Sequence, residues 1–268
     1  MWLEAGDYRL EVAPERGASI LRAEWRGRPI LVPPEGWPEM KSGCFVMAPF
    51  ANRIADGRFT WRGREWHLPL NSPDEGMAGH GFVRDHPWRV TGDGVFVLDC
   101  GGDWPFRIEQ RIEVTPGGIA IRLSLHNTGD ADMPFGIGLH PWFFRPEGTR
   151  LVFASGGAHL RDERGLPLPE RRDHPEFRAG DPPPYLDGCF TGWNGHARIL
   201  WPDAVLDLKA DGALRHLHVF NPAHREAICA EPVSHLPDAI NRPDLPQMDV
   251  LAPGETLSGA MHLRVSAV

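Results

Sequence analysis

No lysine- or arginine-rich block interrupts this 268-residue sequence, whose 36 acidic and 28 basic residues give a formal charge of −8. Binding a phosphate backbone needs clustered cations, so a nucleic-acid partner is not expected. No apolar run approaches the roughly 20 residues that span a bilayer as a helix. The first residues, Met1-Trp2-Leu3-Glu4-Ala5-Gly6-Asp7, lack the basic start and apolar stretch of a signal peptide. A cytoplasmic address, with no membrane partner, is the resulting expectation. Cysteine is scarce as well. Cys44, Cys100, Cys189 and Cys229 lie far apart with no Cys-x-x-Cys pair, which argues against a structural zinc site and for free thiols in a reducing compartment. Helical periodicity is nearly absent. So are internal repeats, low-complexity tracts, phosphate-cradling glycine loops, nucleophile elbows and zinc-protease motifs.

What is abundant is glycine, 30 residues, and proline, 27 residues; this density breaks long helices and punctuates turns. Between the turns, apolar and polar residues alternate. The clearest case is Ile119–His126, preceded by Ile108–Val114; the connector Thr115-Pro116-Gly117-Gly118 makes the two a hairpin. Similar runs are Tyr8–Val12, Ser19–Trp25, Arg58–Trp61 with Glu65–Leu68 across an Arg62-Gly63 turn, Val95–Asp99, Ala197–Trp201, Val205–Leu208, Leu214–Phe220, Ala227–Ala230 and Gly259–Val265. Many short strands with Gly/Pro turns predict an all-β protein, a large antiparallel β-sandwich. With 41% apolar residues and no linker, residues 1–268 read as a single domain with an ample core. The stretch Arg161–Pro184, rich in Pro and charge, reads as a surface excursion.

Four motifs carry chemistry. The first, Ala51-Asn52-Arg53-Ile54-Ala55-Asp56-Gly57-Arg58-Phe59, follows the apolar Phe45–Phe50. An arginine in such surroundings must be paired or hold a ligand, and its forked donors suit hydroxyls or a carboxylate. The second sets His80 between Gly79 and Gly81. The third, Gly138-Leu139-His140-Pro141-Trp142-Phe143, surrounds a histidine with apolar groups that disfavour imidazolium. The aromatic neighbours, Trp142 among them, are either core or a platform for a sugar ring. The fourth, Ala230-Glu231-Pro232 and then Leu236-Pro237-Asp238-Ala239-Ile240-Asn241, ends an apolar strand on a carboxylate. That is costly unless the group is paired or functional. Taken singly, a lone histidine is more often structural and Asp187, in Leu186-Asp187-Gly188, reads as a turn aspartate. Together they offer groups that move protons near neutral pH to a small polar molecule.

The order Ala-Asn-Arg-Ile-Ala-x-Gly-x-Phe, His-Gly, His-x-aromatic-Phe, Glu-x5-Pro-Asp-Ala and Pro253-Gly254-Glu255 resembles the aldose 1-epimerases, or galactose mutarotases, from about Ala48 to Glu255. The resemblance implies a galactose mutarotase-like β-sandwich. It implies Glu231 as catalytic base, His140 as catalytic acid and His80 as an assisting histidine. It also implies Arg53 with Asn52 as the hydroxyl anchor and Asp187 as a second grip, with His218 where the family has a glutamine. Leu139 stands where the family usually has Asn, and Gly79-His80-Gly81-Phe82 where it often has Leu-His-Gly-Gly. With its short length, the chain resembles a shorter bacterial branch.

The implied activity is interconversion of α and β anomers of a free aldose, acting as a monomer or homodimer with a small sugar as its partner. It needs no metal, nucleotide or redox cofactor. The nearest rival is a hexose-6-phosphate 1-epimerase, whose phosphate would call on Arg84, Arg161, Arg164, Arg171 or Arg172. The others are a non-catalytic sugar-binding protein and a polysaccharide-active enzyme on the same fold.

Overall fold

The computed structural model describes residues 1–35, 42–173, 186–222 and 225–268. Alternation along the chain becomes two large antiparallel sheets and three two-stranded ribbons among these residues. The eight-stranded sheet follows the simplest rule. Phe106–Thr115 and Gly118–Asn127 bury every second side chain and pair from Phe106↔Asn127 to Thr115↔Gly118 around the Pro116-Gly117 turn. Gly118–Asn127 then pairs with Thr256–Ala267, the strand that also carries Ala204–Gly212. One core cluster draws on both sheets, with Phe106, Ile108 and Leu123 from the smaller sheet and Leu10, Ile20, Val219 and Ile228 from the larger. Burying each such side chain is worth roughly 1.5–3 kcal/mol. No helix among the described residues is long and apolar enough to cross a membrane.

The eleven-stranded sheet contains strands that the alternation rule does not reveal. Cys44–Met47 is buried along its whole length and Gly138–Phe144 nearly so. A strand covered on both faces has no reason to alternate, so its period-two signal is missing. The strand Ala227–Val233 continues past Ala230, so Glu231 lies inside it rather than at its end. Asp187 lies in the strand Leu186–Phe190, not in a turn. The excursion expected over 161–184 is corrected in its first part. Ala158–Arg161 and Pro167–Arg172 pair as an antiparallel ribbon at the sheet edge, because the sequence between them closes a short turn on Gly165. The remainder of that stretch, 174–184, lies outside the described residues. The Arg62-Gly63 turn joins Arg58–Trp61 to Arg64–His67 as the sequence predicts.

Candidate active site

Five neighbouring strands of the larger sheet build the floor of a cavity of about 430 Å3. Register decides which side chains meet there. Phe45 lies opposite His140, and Glu231 lies opposite His218. The pairs Gly138↔Val233 and Trp142↔Cys229 set His140 opposite Glu231. Residues directly opposite in a sheet share a face, so Phe45, His140, Glu231 and His218 form one row across four strands. Asp187 enters from the next strand, opposite Phe220.

A wall of irregular backbone stands beside this floor. Asn52 and His80 both adopt left-handed backbone, φ +57° and +60°, which is uncommon for residues with a Cβ and needs support from its surroundings. The support is visible. The His80 amide donates to the Asn52 carbonyl at 2.5 Å. Arg53–Ala55 pairs with Met77–Gly79, and Gly81, at φ +66°, lets the chain pass so close to Ala48 that a Cβ would strike its carbonyl. The glycines around His80 therefore serve the backbone of this wall. The segment after Glu231 grips the same wall. The Ala51 amide donates to His235 Nε2 at 2.9 Å, the Ala55 amide donates to Asp238 Oδ1 at 3.0 Å, and the Asp238 amide donates to the Arg53 carbonyl at 2.6 Å. Asn241 Nδ2 donates to Asp238 Oδ1 at 2.8 Å. The first and fourth motifs are thus parts of one structure.

Two charge arrangements share the cavity. Around Asp187, His218 Nε2 lies 2.8 Å from Oδ1, while Arg161 and Arg53 approach Oδ2 at 2.6 and 3.4 Å. Burial pushes this carboxyl up, but the His218 hydrogen bond and the two guanidinium charges outweigh it and hold it well below the usual carboxylate range. Arg53 Nε also reaches Glu75 at 3.2 Å. The second arrangement is His140 and Glu231, with Nε2 and Oε1 3.4 Å apart. Glu231 is only 1% exposed; burial and then the Asp187 charge push its carboxyl well up, against the pull of Arg53. Burial, then the positive charges of His218 and Arg84, lowers His140 to about 3. Burial and the neighbouring His140 hold His80 well below its ordinary value too.

Aromatic packing holds the His140 ring in place. The His140 ring stacks between Phe45, at 4.6 Å, and Trp142, at 5.3 Å, and His80 meets it edge-on at 5.1 Å. Glu231 Oε2, His140 Nδ1 and His218 Nδ1 are buried without a hydrogen-bond partner among the described residues. Buried polar atoms of this kind are costly unless a bound polar molecule satisfies them. The thiol of Cys229 lies within 4.8 Å of ligand atoms of both His140 and Glu231, so three metal-ligating groups meet at the floor.

The eight sequence candidates, Asn52, Arg53, His80, His140, Trp142, Asp187, His218 and Glu231, all line this one cavity. Of the five arginines considered for a phosphate, Arg84 and Arg161 reach the cavity, the second through Asp187. Arg164 is engaged with Asp56 at 2.9 Å, and Arg171 with the Thr191 hydroxyl at 3.3 Å; Arg172 ends the edge strand Pro167–Arg172. Sequence reasoning missed Phe45, Asn71 and Glu75 as lining residues. Phe45 carried a signal, its place in the apolar run before the first motif. Asn71 and Glu75 carried none, because they reach the site through a loop. Asn71 clamps Gly79 there, with Nδ2 donating to the Gly79 carbonyl at 2.8 Å.

The sequence profile of the family described as Aldose 1-epimerase matches residues 3–264. An uncharacterized Escherichia coli K12 protein, YphB, is 30% identical over 287 residues, covering 98% of this chain and 97% of that protein. The crystal structure of an Escherichia coli K12 protein, provisionally assigned as an aldose 1-epimerase, superposes with a TM-score of 0.88 at 29% identity. It covers 100% of this chain and 98% of the other. A galactose mutarotase-like protein from Clostridium acetobutylicum shares the fold, with a TM-score of 0.86 at 20% identity over 100% of this chain and 95% of that one.

Proposed function

The chain belongs to the aldose 1-epimerase family, and we propose that its cavity interconverts the α and β anomers of a free aldose. The observation that carries this reading is the His140–Glu231 contact of 3.4 Å, with Glu231 Oε2 unpartnered in the same cavity. Mutarotation needs a base for the C1 hydroxyl proton and an acid for the ring oxygen, both within reach of one anomeric centre.

Burial drives the pair to its neutral form, a carboxylic acid beside a neutral imidazole. A sugar hydroxyl donating to Glu231 favours the carboxylate, and the proton crosses to His140 Nε2. Glu231 then takes the C1 hydroxyl proton while His140 gives its proton to the ring oxygen. The ring opens to the aldehyde, the C1–C2 bond rotates, and closure on the other face reverses both transfers. Each group ends as it began. His80 hydrogen-bonds the oxygen on which charge develops. Asn52, Arg53, Asp187 and His218 hold other hydroxyls, with Trp142 as an apolar flank.

Polarimetry on freshly dissolved α-glucose, α-galactose and other aldoses tests the reading. Accelerated mutarotation is expected, and rates equal to buffer for every free aldose would reject it. One observation favours a second reading, a phosphorylated hexose. The Arg84 Nε is buried without a hydrogen-bond partner among the described residues, and the only ion pair described for this guanidinium is a 3.8 Å approach to Asp85. An anomer-specific coupled assay on glucose 6-phosphate separates the two. A preference for the phosphorylated sugar that Arg84→Ala abolishes would decide for the second.

A further inference from the structure

Beneath the His140–Glu231 pair lies a thiol that proton transfer does not use. Cys229 stands two residues before Glu231 on the strand Ala227–Val233, so both side chains leave the same face of the sheet. Its cross-strand partners are Trp142 and Phe220, and it is fully buried. One ligand atom each from His140, Cys229 and Glu231 lies within 4.8 Å of the other two. Imidazole, thiol and carboxylate are the ligand set of borderline-soft divalent ions.

Two further observations bear on a metal. His140 Nε2 and Glu231 Oε1 stand 3.4 Å apart. Two ligands each about 2.1 Å from one zinc ion have that separation at an angle of about 110°, the tetrahedral value. The second carboxyl oxygen, Glu231 Oε2, is buried and unpartnered among the described residues, so the carboxyl has coordinating capacity left. The other thiols do not share this position. Cys44 neighbours Phe45 on its strand and therefore leaves the opposite face, Cys100 lies on the eight-stranded sheet, and Cys189 shares the face but stands opposite His218, two strands from Glu231, outside the group of three ligands.

We propose that His140, Cys229 and Glu231 form an inhibitory site for a thiophilic divalent cation of the Zn2+ or Cd2+ class. Binding replaces the thiol proton and the proton held by the His140–Glu231 pair with metal–ligand bonds and releases both protons to solvent, with no change of oxidation state. Three protein ligands leave a fourth position for water or a sugar hydroxyl. The ion would hold both proton-transfer groups at once and so block turnover. Mg2+ and Ca2+, which prefer all-oxygen sites, would not.

The test is a Cd2+ titration of the purified chain, followed by cadmium–thiolate ultraviolet absorption, with Zn2+ inhibition of mutarotation measured in parallel. One equivalent per chain is expected, with a band that Cys229→Ala and Cys229→Ser remove and Cys100→Ala leaves. Zn2+ inhibition should reverse on chelation. It should weaken at least about tenfold in the Cys229 variants, each compared with its own uninhibited rate. A band that survives both Cys229 variants, or one that Cys100→Ala removes, would overturn the site, as would equal inhibition by Mg2+. The absorption readout needs no activity. An inactive protein that binds Cd2+ through Cys229 would therefore sustain the metal site while removing the epimerase reading.

Discussion

His140–Glu231 on the larger sheet and His196–Asp207 on the smaller one are the same kind of pair, an imidazole against a carboxylate across two neighbouring strands. Their contacts are alike, 3.4 and 2.9 Å. Their surroundings are not. The side chains of the first pair are 7% and 1% exposed, those of the second 39% and 33%. Between solvent-exposed partners such an attraction is worth about 0–1 kcal/mol. In the floor of the cavity burial penalises both charges and favours the neutral pair. His262–Asp211, at 3.2 Å and also exposed, repeats the surface case. What sets the two pairs apart is the sheet face on which each stands.

Substitution should break this comparison most sharply. Glu231→Gln and His140→Asn are each expected to lower kcat by on the order of 10²–10⁴, while His196→Asn and Asp207→Asn leave it within about twofold. Near-normal turnover in folded Glu231→Gln protein would reject Glu231 as the base.

The wall beside the pair should come next in size. Asp238 receives the Ala55 amide and donates its own amide to the Arg53 carbonyl. Asp238→Ala is expected to lower kcat/KM about 10- to 100-fold by letting Arg53 drift, and Asp238→Asn to recover part of it. Steady-state kinetics on both variants check this; an unchanged KM and kcat in Asp238→Ala would show that the grip is dispensable.

The pH profile sharpens the contrast. Over the range in which the buried pair carries one proton, kcat/KM should stay level. It falls on the acid side only as His140 protonates, near pH 3. On the alkaline side it falls when the raised Glu231 carboxyl loses its proton. An acid limb near 6.5, the ordinary histidine value, would contradict the burial argument.

Stability should separate the pairs least, and with opposite signs for function and fold. The folded Glu231 carboxyl is raised above its unfolded value, so its contribution is fully present below about pH 4.5 and is lost as pH rises through the folded value. At neutral pH it therefore costs stability. Glu231→Gln should raise the Tm at pH 7, with the gain shrinking in acid. Asp207→Asn should change stability by less than about 1 kcal/mol. A lower Tm for Glu231→Gln at neutral pH would mean that the carboxyl is well solvated or paired after all.

Local pattern was enough to read the sandwich. Phe106–Thr115, Gly118–Asn127 and Thr256–Ala267 alternate because one face meets the core and the other meets water, and that contrast is written residue by residue. The four motifs were legible too, since an arginine, two histidines and a glutamate in apolar or glycine-rich runs need a reason to be there. Cys44–Met47 and Gly138–Phe144 were not legible as strands, because burial on both faces erases the alternation that marks one. Cross-strand register, which sets Phe45, His140, Glu231 and His218 in one row, joins residues up to 186 positions apart and leaves no trace in their spacing. The same holds for the engagement of Arg161 with Asp187 and for the grip of Asp238 on the Arg53 loop. Burial of one face is a local property that the sequence can encode by itself; which buried groups face one another is decided only when distant strands pair.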